Sequence, residues 1–167
     1  AHAGATVAHG HAQLIALPVI PPQLQVRLDA SRVHFETSGQ SLFEDLIAHE
    51  ESSGDRMVCS NAGFVSFAPY ASRSPFELMS LPRHQTARFE QCTDDELTAF
   101  ASILAESLRR LEAYLGNFDY NLMIQSAPRS DADVPWYRWH VQIVPRLTQV
   151  AGFEWATNFF INPMAPE

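Results

Sequence analysis

The apolar positions of this chain change period several times, and each change predicts an element. The run Leu14, Ile15, Leu17, Val19 and Ile20, closed by Pro21 and Pro22, reads as a buried strand. Residues 22–37 and 41–50 place Leu24, Val26 and Leu28, then Leu42, Phe43, Leu46 and Ile47, at helical spacing, with Ser38 and Gly39 between them. From Arg56 the period turns strand-like: RMVCS, FVSFAPY and FELMSLP, each bounded by Asn, Gly, Ser or Pro, predict an antiparallel meander. Thr93 and Glu96 then form a capping box ahead of Leu97, Phe100, Leu104, Leu108, Leu111 and Leu115, a long helix that Gly116 stops. Two more strands, YNLMIQS and WYRWHVQIVP, flank a charged loop from Arg129 to Asp133.

This order predicts an α+β domain, an antiparallel sheet with a long crossing helix covering one face. In the last strand Tyr137, Trp139, Val141 and Ile143 alternate with Arg138, His140 and Gln142, so one face is apolar and the other carries guanidinium, imidazole and amide. His9, His11 and Gln13 would share a face in the same way. The two segments, His9-Gly-His11-Ala-Gln13-Leu-Ile and Arg138-Trp-His140-Val-Gln142-Ile-Val, repeat x-His-x-Gln before two aliphatics. The second copy follows roughly a hundred residues of domain body, and the first follows almost none. The chain is therefore expected to begin inside its first domain.

Length and composition narrow the chemistry. At 167 residues and 46% hydrophobic, the chain suits one domain, or one and part of another. A net charge of −8 without acidic blocks argues against an electrostatic grip on nucleic acid or anionic lipid, so neither is expected as a partner. All eleven basic residues are arginine, which excludes a Schiff-base lysine and a phosphate-loop lysine. Cys59 and Cys92 lack CxxC spacing and are expected to be reduced and structural. Neither a signal peptide nor an apolar span is indicated, pointing to a cytoplasmic protein.

His9-Gly10-His11-Ala12-Gln13 is the sharpest chemical feature. Two imidazoles two residues apart on a strand suit joint metal binding, or a nucleophile oriented by its neighbour. Gly10 leaves room for a phosphate at the backbone, and Gln13 can donate to a phosphoryl oxygen.

AGATVAHGHAQLIALPVIPP, FVSFAPYASRSPFELMSLPRH, YNLMIQSAP, WHVQIVPRL and AGFEWATNFFINPMAPE together resemble, in order, the galactose-1-phosphate uridylyltransferase family of the histidine-triad superfamily. The resemblance implies two histidine-triad-like pseudo-repeats. Residues 1–37 would be the tail end of a first, truncated domain carrying HxHxQ, and 38–167 a second, complete one. It also implies that His11 is the nucleophile toward a nucleoside diphosphate sugar, that Gln13 holds a phosphoryl oxygen, and that His9 orients His11 and is a zinc ligand. Gly10 stands where the family has proline. Gly152, Phe153 and Glu154 match the loop that meets the hexose in a partner subunit, which implies a homodimer. The lysine found ahead of this loop in bacterial members is absent, with Thr148 at about that place.

The positions of a second family zinc site are Ser41, Glu44, His84 and Arg138, so no metal is expected there, and an ion pair of Glu44 with Arg138 is expected instead. His140 and Gln142 then read as a structural echo. The implied reaction exchanges hexose 1-phosphates on a nucleotide sugar through a nucleotidyl-histidine. The alternatives are a nucleotide-sugar or dinucleoside polyphosphate phosphorylase with the same histidine chemistry, and a noncatalytic dimerising or nucleotide-sensing module. Elsewhere, His34 and His49 read as surface residues without partners, Trp136, Trp139 and Trp155 as core or dimer anchors, Phe64, Phe67, Phe76 and Tyr70 as sheet packing, and Arg73 as a solvated loop cation.

Overall fold

The structure is a computed structural model that describes residues 9–131 and 133–167. Helices α1 (Pro22–Ser38) and α2 (Leu42–Ser53) lead into the meander β1 (Met57–Ser60), β2 (Phe64–Phe67) and β3 (Leu78–Pro82). Helix α3 (Asp94–Leu115) crosses to β4 (Tyr120–Gln125), β5 (His140–Pro145) returns, and a short α4 (Gly152–Thr157) follows. The sheet is antiparallel with order β1-β2-β3-β5-β4. Strand β5 is thus inserted between β3 and β4, and the crossover from β3 to β4 is α3.

The capping box forms as the sequence predicts: Glu96 N donates to Thr93 Oγ1 at 3.3 Å, and Thr93 N donates to Glu96 Oε2 at 2.8 Å. Gly116, at φ 72°, ends α3 with its N–H on Glu112 O. One face of α3 carries Ile103 and Leu111 onto Phe64, Leu78, Trp139, Val141 and Ile143. Under its middle turn Ser107 Oγ donates to Ser66 Oγ at 3.0 Å, and Ser80 Oγ reaches the same oxygen at 3.1 Å. Small hydroxyl residues on facing positions let helix and sheet approach without leaving polar atoms unpaired. Trp139 is fully buried at the centre of Phe64, Phe89 and Phe100, with ring centroids 5.0–5.7 Å away.

The sheet is covered on both faces rather than one. Leu28 of α1 and Phe43 and Ile47 of α2 pack on Val65, Phe67, Leu81 and Tyr137, the side opposite α3. His34 accordingly has a partner: its Nε2 lies 2.7 Å from Asp45 Oδ2 and joins α1 to α2. The predicted division at residues 37 and 38 falls at the end of α1.

Three strand expectations, and that for Tyr70, are corrected. Residues 9–19 form no strand, and Leu14 is 100% exposed, because no strand of this sheet offers the run a partner. Residues 1–8 of the predicted first-domain end lie outside the described residues. The last strand begins at His140, not Trp136, so alternation does not extend back to Tyr137, whose ring meets Phe43 and His140 on the face opposite Trp139. Strand β3 likewise starts at Leu78, since Phe76 adopts a left-handed φ of 58° and packs its ring, tilted, against Tyr114. Tyr70 is exposed, with the Arg56 guanidinium 5.5 Å from its ring centroid. Both cysteines are free, and burial pushes the Cys92 thiol up to about 11.

Candidate active site

The two x-His-x-Gln copies share one local device. In the first, His11 Nδ1 lies 3.1 Å from the His9 carbonyl oxygen. In the second, His140 Nδ1 lies 3.1 Å from the Arg138 carbonyl oxygen. A carbonyl only accepts, so each ring donates through Nδ1–H, and the neutral imidazole keeps its lone pair on Nε2. The sequence spacing suffices for this geometry, because each ring folds back on the carbonyl two residues before it.

The fate of Nε2 separates the copies. His140 is 1% exposed, and its Nε2 accepts from Arg27 Nη1 at 3.2 Å. The same guanidinium nitrogen donates to Gln142 Oε1 at 3.1 Å, and Gln142 Nε2 donates to Glu77 Oε1 at 3.4 Å. Burial pushes His140 down to about 4, partly opposed by its bond to Arg138 O. A neutral ring with its lone pair capped by a guanidinium is a structural acceptor, not a nucleophile. His11, by contrast, is exposed, and no side chain among the described residues hydrogen-bonds its Nε2.

The remaining predicted residues are dispersed. His9, Gly10 and Gln13 are exposed beside His11. Gly152 and Phe153 open α4, and Glu154 accepts from the Ala151 N–H at 3.0 Å, capping its own helix. No hydrogen bond among the described residues joins residues 9–13 to 152–154.

At the second metal position, Arg138 is 1% exposed and donates to Gln85 Oε1 at 3.1 Å, Pro82 O at 3.0 Å and Arg83 O at 3.1 Å. Its Nη2 lies 3.4 Å from Glu44 Oε1, so the expected ion pair forms. Burial lowers the guanidinium's affinity for its proton and Glu44 opposes this. Ser41 is buried with its hydroxyl unpartnered, and His84 is exposed in an open depression with Gln91, Glu96 and Asp133. A guanidinium offers no electron pair and fills the place with positive charge, so these residues do not fit zinc. Among the described residues no group of three His, Cys, Asp or Glu side chains is placed to hold a metal, and His9 supplies a single imidazole.

Sequence reasoning missed Arg27. The available signal was that Arg27 and Ser31 fall on the same helical stripe as Leu24 and Leu28, so a polar partner had to face them.

The fold and this site define an α+β domain built on a five-stranded antiparallel sheet, preceded by a segment that presents a carbonyl-oriented histidine to solvent. The family model for the galactose-1-phosphate uridyl transferase C-terminal domain matches residues 27–153. The chain belongs to that family. It is 34% identical to an ADP-glucose phosphorylase of Arabidopsis thaliana over 169 residues, covering 100% of this chain and 47% of the relative. A galactose-1-phosphate uridylyltransferase of Thermotoga maritima is 26% identical over 172 residues, 98% of this chain and 54% of that protein. Among solved structures, a galactose-1-phosphate uridylyltransferase-like protein of Arabidopsis thaliana superposes with a TM-score of 0.83 at 33% identity, covering 98% of this chain and 54% of that one. The chain spans about half the length of these relatives. No described helix is long and apolar enough to cross a membrane.

Proposed function

We propose that the protein transfers a nucleotidyl group from a nucleoside diphosphate sugar through a covalent adduct on His11. The observation that carries this is the Nδ1 bond to the His9 carbonyl, which leaves Nε2 as the free nucleophilic atom on an exposed ring. His11 Nε2 bonds to the α-phosphorus, the bond from that phosphorus to the bridging oxygen breaks, and hexose 1-phosphate leaves with the electron pair. An acceptor phosphate oxygen then displaces the imidazole, which regains its lone pair. Gln13 donates its amide N–H to a non-bridging oxygen as charge builds there. Glu154 receives sugar hydroxyls on its free carboxylate oxygen, with Gly152 leaving backbone room and Phe153 covering the sugar, in a homodimer where this segment serves the neighbouring subunit. His9 would also suit a zinc completed by ligands from outside the described residues, and that ion would stiffen the His9 backbone.

The first acceptor we assign is hexose 1-phosphate, which makes the enzyme a uridylyltransferase-like exchanger. A second reading, with inorganic phosphate as acceptor, is favoured by the 34% identity to an ADP-glucose phosphorylase. Isotope exchange tests both: labelled glucose 1-phosphate should enter UDP-glucose or ADP-glucose with no second acceptor present, as a two-step displacement requires. Product analysis with galactose 1-phosphate or phosphate then names the acceptor. Nucleotide-sugar binding without exchange would place the chain in the noncatalytic class.

A further inference from the structure

Arg73 is an exposed loop cation, as expected, but it is not without partners. Its Nη1 donates to Gln23 Oε1 at 2.6 Å, in the first turn of α1, and its guanidinium carbon lies 5.2 Å from the centroid of the Phe160 ring. The loop beneath it is fixed from inside the domain: Arg73 N donates to buried Glu77 at 2.8 Å, and Glu77 accepts in turn from Gln142 of β5. Further bonds fasten the same C-terminal stretch around this hub. Gln23 Nε2 donates to Asn158 Oδ1 at 3.3 Å, Asn162 Nδ2 donates to Ser72 O at 3.3 Å, and Arg56 Nη1 pairs with Glu167 Oε1 at 3.3 Å.

We propose that Arg73 is a positioning residue that straps the sugar-contact segment to the helix following the nucleophile. The inference rests on the function proposed above. Gln23 lies ten residues after Gln13, and Phe160 lies six after Glu154, so one planar cation bridges the two segments beside the direct bond of Gln23 to Asn158. Guanidinium suits the task, because it donates at its edge to Gln23 while its face lies against Phe160, two contacts that lysine cannot make together. The strap sets where Glu154 stands, and so acts on sugar affinity rather than on the phosphorus chemistry at His11.

The test uses the full-length protein with Arg73→Met, Arg73→Lys, and the separate cuts Gln23→Ala and Phe160→Leu. Backbone hydrogen exchange should show 151–162 losing protection in Arg73→Met, with the amides of α3 unchanged as the control for folding. The KM for the hexose 1-phosphate acceptor should rise roughly tenfold while kcat and the amplitude of His11 labelling stay within about twofold, as expected of lost positioning. Arg73→Lys should recover only part of the KM, and each single cut should give part of the effect. Unchanged protection of 151–162, or released protection with unchanged KM, overturns the proposal. Should Arg73→Met fail to fold, the two single cuts decide on the same readouts. If the wild-type protein transfers no nucleotidyl group, the proposed function falls, and unchanged exchange in the variants would overturn the strap as well.

Discussion

Replacing Arg138 with methionine tests what ties helix α2 and the end of β3 to the approach to β5. Methionine keeps most of the stem and removes the guanidinium, stranding two backbone carbonyls, Pro82 O and Arg83 O, and the Gln85 amide oxygen. A fully buried stranded acceptor such as Pro82 O costs about 1–3 kcal/mol, the part-buried Arg83 O and Gln85 Oε1 cost less, and relief of the guanidinium's own desolvation offsets part of the total. A net loss of about 3 kcal/mol follows. Glu44→Gln should cost under about 1 kcal/mol, because the Glu44 side chain is 56% exposed and water screens its pair with Arg138. Urea unfolding followed by tryptophan fluorescence reads both losses, provided the m-value is unchanged. The backbone carbonyl cage, not the ion pair, then carries the cross-link. Equal losses for the two variants would refute this, as would a loss below about 1 kcal/mol for Arg138→Met.

Two further outcomes follow from the same contacts. Burial holds His140 at about 4 against an ordinary 6.5, so between these values the unfolded chain binds a proton that the folded one does not, and stability falls as pH drops from about 6.5 toward 4. The full effect is roughly 3 kcal/mol, and pH-dependent unfolding of His140→Gln should lack it; an unchanged pH slope would contradict the assignment. Thr93→Ala removes the side-chain half of the α3 cap and should cost about 1 kcal/mol in the same unfolding assay.

Where local rules decide the outcome, the sequence was sufficient. Helix α3 carries its own start and stop in Thr93, Glu96 and Gly116, and its leucines lie on one stripe. The pairing of Glu44 with Arg138 was legible because the resemblance implies a metal at these positions, where a guanidinium calls for a carboxylate instead. What failed depended on distant neighbours. The apolar run from Leu14 to Ile20 has strand composition, but a strand exists only beside a partner, and this sheet supplies none. Residues 64–67 are buried on both faces, so their pattern did not reveal that helices α1 and α2 cover the second face. The left-handed Phe76 and the face switch at Tyr137 likewise come from packing against Tyr114 and Phe43, which the alternation of nearby residues does not encode. The candidate site was legible as a motif, and the structure added the distinction between its copies: Arg27 closes the Nε2 of His140.

That distinction is tested most directly by the intact mass of the full-length protein after brief incubation with UDP-glucose or ADP-glucose. The account predicts a single UMP or AMP adduct that is lost in His11→Ala and kept in His140→Gln. An adduct that survives His11→Ala, or none on a folded protein that binds the nucleotide sugar, would contradict it.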